Sequence, residues 1–137
     1  MVDLYRFDKT EHFEDLIAMH VGQGSDMASI ITKATLPKLG YIAYNDELEP
    51  IAAAFLRQVE GGYGQLDTMV SNSQLSGMIR HNALSMIVDS LISDARALNL
   101  QGLICYTRDE SVIRRAQSIG FHLCPHAVIS LDLKGRV

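Results

Sequence analysis

The chain has 137 residues, 47% of them hydrophobic and 20% charged, with a formal net charge of -4. That length suits one domain with a real core, the composition is ordinary for a soluble globular protein, and the acidic balance argues against a general nucleic-acid binder. Apolar runs too short for a membrane span, a start, MVDLYRF, without a secretory signal, and only two cysteines, Cys105 and Cys124, point to a cytoplasmic protein with free thiols and no membrane partner.

LYRF (Leu4–Phe7) predicts a short strand. Asp8 is placed to cap a helix over roughly Lys9–Val21, with Glu11 as its capping-box partner and Phe13, Leu16, Ile17 and His20 on one face. GQGS (Gly22–Ser25) breaks that helix. Ser25 then caps a second one, whose stripe is Met27, Ile30, Ile31 and Ala34 and which Pro37 ends. Gly40–Asn45, Ile51–Val59 and Gly64–Val70 form three strands of an antiparallel meander.

A long helix is expected over Asn82–Leu100, with Leu84, Ile87, Val88, Leu91, Ile92, Ala95 and Leu98 at helical spacing. The strand Gln101–Thr107 follows. A strand–helix–strand connection favours its parallel pairing with Gly64–Val70. A short helix, Ser111–Phe121, ends in Gly120-Phe121, and FHLC and AVISLDL complete a hairpin turned at Pro125-His126. Residues 1–137 thus form one α/β (α+β) domain with a mixed central sheet, in the order strand, two helices, three strands, helix, strand, helix, two strands.

This order, and above all the stretch Gly64–Phe121, resembles the GNAT superfamily of acetyl-coenzyme A-dependent N-acetyltransferases. In that family the amides at the start of the long helix hold the cofactor pyrophosphate, as free N–H groups and the helix dipole favour an anion. The family loop there is Arg/Gln-x-x-Gly-x-Gly/Ala. The matching stretch is Ser76-Gly77-Met78-Ile79-Arg80-His81, in which Gly77 survives. The resemblance implies cofactor contacts from Gly77, Met78, Ile79, Arg80 and His81, with Arg80 as a replacement counter-charge. The alternative is a plain helix start with Arg80 on a solvated face.

The strand before the loop splays from its parallel neighbour at a bulge in the family. Backbone groups near Met69 and Val70 would then contact the pantetheine arm and polarise the thioester. Asp67 is the acid on that strand: either a general base for the acceptor amine or a carboxylate that pairs a neighbour. Many members carry a Tyr, the acid for the leaving thiolate, where this chain has Ala116. Tyr106 is the candidate substitute, and a core or rim tyrosine is the other reading.

His122, Cys124 and His126 alternate, but Pro125 interrupts them and no fourth metal ligand is evident, so a hairpin with a buried Cys is favoured over a metal site. The expected function is N-acyl transfer from acetyl-CoA to an amine on a small molecule or protein. The alternatives are a GNAT-fold binding or structural protein without catalysis, or an acyl-CoA sensor. VSNSQLSGMIRHNAL and TRDESVIRRAQSIGF also look similar to small GNAT-like proteins of tailed bacteriophages, which lack the glycine-rich loop as well. An exposed edge in the closing hairpin would suit a homodimer.

Overall fold

Side chains that alternate between the two faces of residues 39–59 build the centre of a sheet, and each strand pairs with its neighbours in sequence. The computed structural model describes residues 1–107 and 109–124, in two units, Met1–Tyr106 and Thr107–Val137. The first unit holds strands β1 (Asp3–Arg6), β2 (Leu39–Tyr44), β3 (Pro50–Val59), β4 (Tyr63–Ser71) and β5 (Gly102–Cys105), with helices α1 (Phe13–Gly22) and α2 (Gly77–Ala97). The sheet order is β1-β2-β3-β4-β5. The first three pairings are antiparallel and β4–β5 is parallel. This is the mixed sheet expected from the sequence, with the long helix as the crossover between its parallel strands.

The two faces differ in the size of their side chains. Leu16 and Met19 of α1 pack with Ile42, Tyr44, Ala53, Phe55 and Val70, joined by Ile31 and Leu36. Phe55 is fully buried and meets Phe7 edge-on, with centroids 4.8 Å apart. The opposite face is small in its middle, where Ala43 lies opposite Ala52 and Tyr41 opposite Ala54, and larger toward the Leu56–Leu66 pair. The buried stripe of α2, Ala83, Leu84, Ile87, Val88, Leu91 and Ala95, packs there. Tyr41 Oη donates to Asp94 Oδ2 of α2 at 2.8 Å, and Arg6 grips the same carboxylate through two nitrogens at 3.3 and 3.4 Å.

Several boundaries depart from the sequence reading, among them the ends of α2 and of the helix after it, Glu110–Ser118, each three residues short of the expected Leu100 and Phe121. First, α1 begins at Phe13 rather than Lys9. Asp8 Oδ1 accepts from Thr10 N and Glu11 N, and the reciprocal partner of Asp8 N is His12 Nδ1 at 2.8 Å, not Glu11. Second, the helix expected around Met27–Ala34 is only a 3-10 turn, Asp26–Ser29, capped by Ser25 as foreseen. Beyond it Thr32 and Thr35 bond each other's backbone N–H through their hydroxyls, which competes with helical bonding.

Third, α2 begins at Gly77 with Ser76 as its cap, five residues before the expected Asn82. It ends in a Schellman motif: Asn99 has φ 59°, and Leu100 N reaches Ala95 O while Asn99 N reaches Arg96 O. Fourth, β5 stops at Cys105 rather than Thr107.

In the second unit, α3 (Glu110–Ser118) is capped by Asp109, whose Oδ1 accepts from Ser111 N and Ser111 Oγ. Gly120, at φ 103°, closes it with bonds from Phe121 N to Ala116 O and from Gly120 N to Gln117 O. The Gly-Phe pair is thus the stop of a helix. The expected hairpin strand AVISLDL, its turn at Pro125-His126 and the ligand candidate His126 lie outside the described residues. No helix among the described residues is long and apolar enough to cross a membrane.

Candidate active site

β4 carries an extra residue in its pairing with β3. Ala53 faces Val70 and Phe55 faces Asp67, so Thr68 and Met69 together oppose Ala54. Thr68 adopts φ 54°, a left-handed conformation that a β-branched residue rarely takes. The bulge bends the strand and raises its local twist. On the other edge, the last β4–β5 pair is Leu66 with Cys105, although β4 continues to Ser71. Asp67–Ser71 therefore run on without a β5 partner. Met69 and Val70 lie on this stretch.

Asp67 lies on the face shared with Phe55. Arg57 Nε donates to its Oδ2 at 2.7 Å and Thr68 Oγ1 to its Oδ1 at 3.2 Å. Arg57 also donates through Nη2 to the carbonyl of Thr35 at 3.0 Å. Register explains the pair: Arg57 opposes Gln65, which places it diagonal to Asp67. Burial first, and the Asp67 carboxylate second, push the Cys105 thiol up. Tyr106, one residue past the last pair, is 59% exposed and so is not a core tyrosine.

The loop from β4 to α2 is bolted down. Asn72 N donates to Ile51 O at 2.8 Å, Asn72 Nδ2 to Pro50 O at 2.9 Å, and Gln74 N to Asn72 Oδ1 at 3.0 Å. Ser73 Oγ donates to Gly22 O at 3.0 Å, and Gln23 Nε2 to Ser71 Oγ at 3.2 Å. The end of α1 is thereby tied to the end of β4.

Gly77–His81 form the first turn of α2 rather than a loop. Ser76 Oγ accepts from Ile79 N at 3.3 Å, and Arg80 N bonds Ser76 O. Gly77 N and Met78 N remain unbonded among the described residues, as first-turn amides do. A Cβ on Gly77 would meet nothing within 4 Å. Met78 is 75% exposed and stands in solvent, while Ile79, 42% exposed, is partly covered. Arg80 Nε is enclosed without a hydrogen-bond partner among the described residues. Open space over Gly77, unbonded amides and an orphaned guanidinium nitrogen fit an anionic group such as a pyrophosphate.

The structure therefore brings Asp67, Met69, Val70 and Tyr106 to one edge of the sheet and Gly77–His81 to one helix turn. Arg57, Asn72 and Gln23 went unremarked as site residues. The register of Arg57 was the available signal. Among the described residues, no group of three His, Cys, Asp or Glu side chains is placed to hold a metal.

No protein-family model and no curated protein matches the chain. Solved structures do. A GNAT-family acetyltransferase from Streptococcus pneumoniae superposes with TM-score 0.74 at 12% identity, over 97% of this chain and 99% of that one. An acetyltransferase from Trypanosoma brucei gives 0.71 at 12% identity over 97% and 100%. Glucosamine-6-phosphate N-acetyltransferase from Arabidopsis thaliana gives 0.66 at 9% identity over 96% and 99%. Nearly full coverage of both chains in each comparison shows that this protein has the fold of the GNAT acetyltransferases.

Proposed function

We propose that the protein is an N-acyltransferase that uses acetyl-CoA as donor and a primary amine as acceptor. The observation that carries this reading is the bulged, unpaired half of β4 lying just before the open first turn of α2, in a sheet of this topology. Acetyl-CoA, when bound, supplies an activated acyl thioester.

The chain's own part is to bind and orient. Gly77 N and Met78 N, with the charge of Arg80, would hold the pyrophosphate, while Ile79 N and Arg80 N are taken by Ser76. The edge groups of Met69 and Val70 would hold the pantetheine arm and aim N–H donors at the carbonyl. Tyr106 Oη would give a proton to the leaving group. Asp67 is held by Arg57 and Thr68, and we read it as orienting the strand edge. Ala116, in the place of the family tyrosine, supports a second reading, a sensor that binds acyl-CoA without turnover.

Calorimetry with acetyl-CoA tests the binding half. The expected Kd is about 10 μM or weaker, about -7 kcal/mol or less favourable, and Arg80→Ala should weaken it several-fold. No heat at millimolar cofactor would overturn the proposal. Binding without acetyl transfer to any of a broad panel of amines would favour the sensor.

A further inference from the structure

Among the described residues, neither Thr68 nor Met69 has a one-to-one strand partner. On the β3 side the two share Ala54, and on the β5 side the pairing ends at Leu66. Where the ladder is broken, a side-chain bracket reaches the strand instead. Arg57 Nη2 donates to Thr35 O at 3.0 Å, Arg57 Nε donates to Asp67 Oδ2 at 2.7 Å, and Thr68 Oγ1 donates to Asp67 Oδ1 at 3.2 Å. The bracket therefore ends on the residue whose φ is 54°.

Both anchors of this bracket are fixed. The Arg57 backbone pairs with Gln65 within the β3–β4 ladder. Thr35 lies in a turn closed by Thr35 N and Leu36 N on Thr32 O, at 3.1 and 3.2 Å, and by the bond between the Thr32 and Thr35 hydroxyls. Ile31 and Leu36, at the ends of that turn, are buried in the core cluster. A guanidinium is planar and its donors point in set directions. With Nη2 held by a backbone carbonyl, the direction of Nε–H is fixed, and the Asp67 carboxylate sits in it. Each oxygen of that carboxylate is then held, one by Arg57 and the other by the hydroxyl of the next residue. This also accounts for a Thr where a left-handed backbone favours glycine, since glycine has no hydroxyl to tie.

We propose that Arg57 is the positioning residue of the donor side. It clamps Asp67 between β3 and the Thr32–Leu36 turn, keeps Thr68 left-handed, and so sets the direction of the Met69 and Val70 edge groups. The use of that edge rests on the acyltransferase reading, in which it holds the pantetheine arm; the clamp itself does not.

The test is NMR of 15N,13C-labelled protein, in which the HN–Hα coupling and the Cα and Cβ shifts of Thr68 report its φ, together with calorimetry of coenzyme A binding. Arg57→Met removes both donors. Arg57→Lys keeps the charge beside Asp67 but cannot reach both acceptors, and it serves if Arg57→Met fails to fold. In either variant Thr68 should move from left-handed toward extended values. Coenzyme A affinity should fall about three- to tenfold, the worth of one misaimed hydrogen bond. Adding Thr68→Gly, which removes the left-handed penalty, should restore part of that affinity, a rescue that a residue merely stabilising the fold would not show. Thr68 signals unchanged in a folded variant, or affinity unchanged while they move, would overturn the proposal. No coenzyme A binding by the wild-type protein would overturn the acyltransferase reading, while the Thr68 signals, which need no ligand, still decide whether Arg57 holds the bulge.

Discussion

Thr68 holds a backbone conformation that glycine enters freely and an L-residue enters at a cost of roughly 1–2 kcal/mol. Strain of this kind persists where the surroundings over-determine it, and it clusters at functional sites. Here the hydroxyl tie to Asp67 and the ladder on either side hold the bulge in place. Asp67→Asn separates the two roles open to that carboxylate. Loss of a general base costs about 10²–10⁴-fold in rate, whereas an orienting carboxylate should cost about tenfold or less, read as kcat/KM on the first acceptor found. His20 supplies a pH prediction. Its unfolded-state value is 6.5 and burial lowers it in the fold, so the unfolded chain binds the proton first. The stability that neutral His20 contributes is therefore complete above about pH 6.5 and is lost as pH falls through the folded value, with a slope of at most about 1.4 kcal/mol per pH unit. Urea midpoints should drop between pH 7.5 and 5.5, and His20→Leu should shrink that drop.

At the scale of elements, two glycines behave oppositely. A Cβ at Gly40 would run into the Phe55 ring, so Gly40→Ala should destabilise by about 1–3 kcal/mol through overpacking, measured by urea unfolding. Gly77 faces open space, and Gly77→Ala should leave stability unchanged or slightly raised. The same methyl stands where an anion must approach the amides, so coenzyme A affinity should fall about tenfold by calorimetry. Strands were legible in the sequence because alternation and turn residues mark them independently of context. Gly40–Asn45 and Ile51–Val59 match β2 and β3 to within a residue at each end. The start of α2 was not, because Met78 and Ile79 resemble neither a packed stripe nor a phosphate loop, and the cap is a lone Ser76 whose bond appears only in three dimensions. The short turn after Ser25 was missed because the hydroxyls of Thr32 and Thr35 outcompete an apolar periodicity that had looked helical. The bulge was foreseen only through resemblance, since no side chain announces it.

For the whole molecule, ligand linkage offers a check that needs no acceptor. If acetyl-CoA binds only the folded chain, a hundredfold excess over Kd should add about 2.7 kcal/mol of stability, visible as a raised Tm that Arg80→Ala reduces. An unshifted Tm at millimolar cofactor would speak against binding. The contrast between the sheet's two faces also matters while the chain is being made. The four strands through Ser71 leave the ribosome before α2, which ends at Ala97. At about 5–20 residues per second, the helix arrives one to several seconds later. Until then the face it will cover is bare. The large side chains Phe55, Ile42 and Val70 are by that time under α1, and the bare face presents Ala43, Ala52 and Ala54 in its middle, beside Tyr41, Leu56 and Leu66. The alanines keep the apolar area in the middle of that waiting face small, so replacing Ala52 or Ala54 with leucine, which would join Leu56 and Leu66 into a larger exposed patch, should lower soluble yield more than it lowers the stability of the protein that does mature.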